Sequence, residues 1–147
     1  MSEDHHNGDA NNDPLTFVQA ASQFAEKSQW DAALSFCQKA LEADPDIEFA
    51  GYLAGIACVQ LGRSGDAVHY LKAAISTDED DIAKLGILIA LLQEARRSED
   101  AIPYLRRHVE LEPGVENLNR LGAAYADIGD LGAAIQTFRQ SLALSSK

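Results

Sequence analysis

The sequence predicts an all-α chain of four stacked helical hairpins, and three observations carry that prediction. Ala33, Ala67, Ala101 and Ala134 recur at intervals of 34, 34 and 33 residues, each followed by an aliphatic residue: Leu34, Val68, Ile102, Ile135. Four residues beyond each alanine stands another apolar side chain, Cys37, Leu71, Leu105 or Phe138, which puts it on the same helix face. Apolar residues make up 46% of the 147-residue chain, yet aromatics only 7%, so small and aliphatic side chains supply the bulk. A period near 34 filled with helical pattern is one helix–turn–helix unit. Such a unit cannot cover its own apolar face and must stack on the next.

The elements follow in order. Residues 1–13 carry no large apolar side chain except Met1 and cannot offset their ordering entropy, so a disordered acidic tail is expected. His5 and His6 within it lack a third ligand, and no metal site is expected. Asp13-Pro14 reads as a helix start, with Asp at the N-cap and Pro at the first helical position. First helices are expected over about 14–27, 48–61, 82–95 and 115–128, and second helices over about 30–43, 64–77, 98–110 and 131–144. The repeats then run over about 14–47, 48–81, 82–114 and 115–147. Ala43-Asp44-Pro45-Asp46, the acidic run 78–81 and Glu112-Pro113-Gly114 separate the hairpins. Ser28, Ser64 and Ser98 are expected to cap the second helices.

Composition excludes several functions. A net charge of −11 disfavours nucleic-acid phosphates and anionic membrane surfaces. No apolar run approaches the roughly 18 residues of a spanning helix, so no membrane insertion is expected. Cys37 and Cys58 lie in apolar helical pattern without Cys-x-x-Cys spacing, which reads as buried reduced thiols and a cytoplasmic protein. Gly62-Arg63-Ser64-Gly65 lacks the lysine of a phosphate loop. Cys37, His69 and His108 occupy packing positions in different hairpins rather than forming a dyad. No catalytic residue, no cofactor and no enzyme activity are expected.

At this level the residues resemble the tetratricopeptide repeat (TPR) family. The fourth repeat matches best, with Leu118, Leu121-Gly122, Tyr125, Gly129-Asp130, Ala134 and Phe138. The first has Phe17, Ala20-Ala21, Phe24, Trp30, Ala33, Ala40 and Pro45; the second keeps Ala54-Gly55, Gly62, Ala67, Leu71 and Ala74; the third keeps Leu85, Leu88, Leu92, Ala101, Leu105 and Pro113. The resemblance implies a right-handed α-solenoid in which Gly55 and Gly122 let paired helices approach closely. Phe24, Trp30, Leu71, Leu92, Tyr125 and Phe138 then fill the spaces between layers. Repeat three departs from the pattern at Ile89, His108 and Pro103 and is one residue short, so it is expected to be the least regular and least stable; in repeat four Ser141 replaces the late alanine.

The resemblance also implies that partners bind where first helices line a concave groove. By register that groove holds Val18 and Ser22, then Phe49, Tyr52, Ile56 and Val59, with Gln93 and Asn119 further along. The family's carboxylate-gripping members place Lys, Asn and Arg where this chain has Val18, Ser22, Leu53, Ala83 and Ile87. The expected partner is therefore another protein offering an apolar peptide or amphipathic helix, and the chain reads as an adaptor or scaffold. Chaperones of secretion-system subunits are similar in being small, acidic, cytoplasmic and TPR-built, and in the stretch Tyr52–Cys58 with Gly62 and Ala67–Tyr70, while the Ala-, Gly- and Asp-rich style reads as bacterial. That role and a regulatory module of an enzyme complex are the alternatives. Ile135, Phe138, Leu142 and Leu144 are expected to leave an apolar strip for docking or homo-oligomerisation through repeat four. Arg96, Arg97, Arg106 and Arg107 are the only basic cluster and read as a solvated convex face.

Overall fold

The computed structural model describes residues 13–76 and 79–146. The expected tail, apart from Asp13, and both of its histidines lie outside them, as does Asp78 of the acidic run. Among the described residues there are eight helices and no strand: α1 (Pro14–Glu26), α2 (Trp30–Ala43), α3 (Glu48–Gln60), α4 (Ser64–Ala74), α5 (Ile82–Glu94), α6 (Ser98–Leu111), α7 (Val115–Asp127) and α8 (Leu131–Ser145). The expected bounds hold to within a residue, except that α4 ends three residues early. Ile75 is already extended, and the Ile-Ser-Thr run followed by carboxylates is poor material for a helix C-terminus. Asp13 caps α1 as its sequence implies, accepting the Leu15 N–H at 3.0 Å with Pro14 behind it.

The expectation of serine N-caps is corrected. Each hairpin turns through the same pair of backbone bonds, in which a residue at positive φ donates to a carbonyl three back and its successor to one five back. These are Ser28 to Ala25 and Gln29 to Phe24, Gly62 to Val59 and Arg63 to Cys58, Arg96 to Gln93 and Arg97 to Leu92, and Gly129 to Ala126 and Asp130 to Tyr125. This is the Schellman closure of a helix end. Ser28 therefore sits in the left-handed region (φ 57°), and the caps of α2, α4 and α6 are Gln29, Arg63 and Arg97, none making a side-chain cap bond. Ser64 and Ser98 are already the first residues of their helices. Only Asp130 caps its second helix through its side chain, accepting from Ala133 N–H at 3.2 Å. Gly62 and Gly129 adopt positive φ freely, whereas Ser28 and Arg96 (φ 60°) do so against their Cβ atoms. Ser28→Gly and Arg96→Gly should each raise stability by about 1 kcal/mol, read as a higher melting temperature.

The helices fall into two compact units, α1–α4 and α5–α8. In the first, α1 packs on α2, α2 on α3 and α3 on α4, and α1 also touches α3. Its core gathers Ala21, Leu34, Cys37, Leu53, Ala54, Ala57, Cys58 and Ala67. A Cβ on Gly55 would stand 2.5 Å from Leu71 Cδ2, so the missing side chain is what lets α3 and α4 close. Phe36 adds an aromatic trio that the repeat pattern does not announce, stacking on Phe24 at 5.5 Å and meeting Phe17 at 6.4 Å.

In the second unit α5 packs on α6, α6 on α7 and α7 on α8, around fully buried Leu85, Leu88, Ile89, Leu92 and Leu105. Gly122 repeats the Gly55 device, its would-be Cβ lying 2.8 Å from the Phe138 ring. Leu71 and Leu92 fill the interior as expected, whereas Phe24, Trp30 and Tyr125 are only half-buried and Phe138 is 37% exposed. α5 has Ile89 where α3 and α7 have glycine, and α5 and α6 touch over fewer residues than any other hairpin pair. Pro103 is exposed within α6, which runs on through it with one fewer hydrogen bond, and the buried His108 leaves Nδ1 without a partner. Amide exchange should find α6 the least protected of the second helices. Slower exchange in α6 than in α2 would contradict this.

Candidate interaction surfaces

Val18 and Ser22 on α1 and Tyr52, Ile56 and Val59 on α3 are all half-buried, and Phe49 is 52% exposed. Leu15, one repeat before Phe49 in register, is 63% exposed. None of these residues is charged. They hold different depths: Val59 packs against the core of the first unit, while Phe49 and Leu15 stand clear of it. The Tyr52 hydroxyl is buried without a hydrogen-bond partner, and that burial pushes the phenol pKa above its ordinary value. Phe49, rather than the larger Tyr52, thus presents the accessible aromatic ring.

Gln93 and Asn119 belong to the second unit and have polar surroundings. Gln93 lines an open cleft of about 620 Å3 with Arg96, Arg97, Asp100, Ala123 and Asp127. Asn119 accepts a 2.7 Å hydrogen bond from Ser141 Oγ, the residue standing where the other second helices have Ala40, Ala74 and His108. Sequence reading missed this cleft because its walls come from the α5–α6 turn and the end of α7, which no spacing along the chain connects.

Two of the four arginines expected on a solvated face are ion-paired at the surface. Arg97 pairs with Asp100 at 3.0 Å. Arg107 pairs with Asp80 and, at 3.1 Å, with Glu110, and these two carboxylates hold its guanidinium pKa above the usual arginine value. Arg106 lines a different hollow, between α6 and α8. Asp80 and Asp81 make contacts of their own, Asp80 with Arg107 and Asp81 as the cap of α5, accepting the Lys84 N–H at 3.2 Å. On α8, Ile135 is 53% and Leu142 68% exposed, with Phe138 and Leu144 also open, while Ala134, Thr137 and Ser141 face inward.

The chemistry open to these groups is limited. Burial, with Cys58 nearby, pushes the Cys37 thiol up to about 12, so it stays protonated at neutral pH and is a poor nucleophile. Among the described residues no three His, Cys, Asp or Glu side chains gather as a metal would need. Among them, too, no helix is long and apolar enough to cross a membrane.

The sequence model of the tetratricopeptide repeat matches residues 52–116 and 91–147, which together span well over half the chain. The chain belongs to the tetratricopeptide repeat family. No curated protein matches it. Solved TPR structures share its fold. MamA from Desulfovibrio magneticus RS-1 is 20% identical, with 92% of this chain and 77% of that one covered and a TM-score of 0.64. MamA of AMB-1 is 17% identical over 91% and 74%, with a TM-score of 0.70. YrrB, described as a TPR protein with an unusual peptide-binding site, is 24% identical over 96% and 73%, with a TM-score of 0.66. At these identities the likeness is one of fold. TPR domains are protein–protein interaction modules, and this one is a member on both sequence and architecture.

Proposed function

We propose that this protein is an adaptor that holds an apolar peptide or amphipathic helix of another protein along the uncharged face of α1 and α3. The observation that carries the reading is the pair Leu15 and Phe49, large apolar side chains left more than half exposed in a row without charge, on a chain of net charge −11. An acidic chain keeps such a row uncharged where a partner must be desolvated, and an exposed aromatic flanked by aliphatics suits a hot spot. YrrB, whose described peptide-binding site stands on the same fold, lends support by analogy. Cationic recognition of a terminal carboxylate is disfavoured, because Val18 and Ser22 occupy the positions where such members carry polar and basic groups.

The test is capture from the source organism's lysate with wild type beside Phe49→Ala/Ile56→Ala, each shown to be folded by circular dichroism. A protein held by the wild type and lost by the variant supports the reading. Equal capture by both defeats it.

A further inference from the structure

One polar atom on the uncharged face of α1 and α3 finds nothing to bond within the chain. The Tyr52 hydroxyl is buried without a hydrogen-bond partner, although the ring that carries it is half-exposed. In register its place is taken by Val18 in α1, and by Gly86 and Asn119 in α5 and α7. The repeat is therefore built without a phenol at this position. A buried donor left unpaired is destabilising and calls for a reason.

We infer that this hydroxyl is the specificity contact of the face, donating to a main-chain carbonyl of an extended partner segment. The inference rests on the adaptor reading above and narrows it to one shape of partner. A phenol donates through a single O–H, so the partner must bring an acceptor. That acceptor is uncharged, because a carboxylate would lose its water on a face with no cation, on a chain of net charge −11. An amphipathic helix brings none. Its carbonyls are bonded along its own axis, and its apolar side would cover the hydroxyl and leave it unpaired. An extended segment keeps its carbonyls free at its edges while alternate side chains point toward the face. One such carbonyl beside Tyr52 leaves those side chains to Phe49 and Ile56, one turn before and one turn after it on α3. The hydroxyl is already out of water in the free chain, so the new bond replaces none to solvent, and a turn of the half-exposed ring brings it to the carbonyl.

Panning a library of random twelve-residue peptides on the full chain supplies the probe, and isothermal titration of a selected peptide reads the contact. Tyr52→Phe is expected to weaken that peptide roughly fivefold. It should melt at the same temperature as wild type or higher, because it deletes an orphaned donor from the free chain. Replacing the peptide's amides by esters one at a time weakens the carbonyl as an acceptor. A single position should then lose affinity for wild type but not for Tyr52→Phe. Equal affinity of Tyr52→Phe and wild type overturns the inference, as does an ester series without such a position, or a peptide that becomes helical on binding by circular dichroism. The adaptor reading fails separately, through a library that yields no peptide or peptides indifferent to Phe49→Ala, and this inference then falls with it.

Discussion

Gly55→Leu should cost the first unit about 3 kcal/mol or more, enough to unfold a marginally stable domain. Even the Cβ would lie 2.5 Å from Leu71 Cδ2, and Leu71 is fully buried with no room to retreat. The helix-propensity gain of roughly 1 kcal/mol on replacing glycine does not offset that overlap. Gly122→Leu poses the same problem against Phe138, but that ring is partly exposed and can swing outward, so its cost should be about 1 kcal/mol. Gly65→Ala meets no atom within 4 Å and should be neutral or mildly stabilising. Urea unfolding of the three variants reads the order directly. Labelling of Cys37, buried and protonated in the native chain, reports opening of the first unit specifically. Equal losses for Gly55→Leu and Gly122→Leu would contradict the account of how these hairpins close.

Phe49→Ala should weaken partner binding by about 2 kcal/mol, roughly thirtyfold, with little change in melting temperature. The ring is half exposed, so truncation removes little from the core, whereas Ile56→Ala should cost both affinity and about 1–2 kcal/mol of stability. Because the row carries no charge, affinity should change little between low and high salt. A steep salt dependence would point to the polar cleft around Arg96, Arg97 and Asp127 instead. Isothermal titration with the captured partner measures both quantities.

The sequence made the repeats readable because close packing leaves few substitutes: only glycine fits opposite Leu71 and Phe138, and only alanine is repeated at 33, 67, 101 and 134. The exposed α8 strip was legible for a related reason, since hydrophobic register stays visible whether or not a neighbour covers it. Turn geometry was not. The same left-handed corner holds glycine at 62 and 129 but serine at 28 and arginine at 96, and the last two conceal it. Serines beside those corners looked like caps, whereas the backbone bonds of the Schellman closure leave that place to Gln29, Arg63 and Arg97. The partners of the arginines were hidden because charge pairing is decided in space: Asp80 lies 27 residues from Arg107 and pairs with it across a loop. Burial depth along the α1–α3 face was also hidden, since period alone does not separate Val59, set against the core, from Phe49, standing off it.

The most direct test of the central claim is photo-crosslinking from a benzophenone side chain placed at position 49, at position 15 and, as a control off this face, at Lys39. The account predicts one partner polypeptide joined from 49 and 15 through apolar residues of a single segment, and none from 39. The same polypeptide joined equally well from 39, or joined from 39 alone, would contradict it.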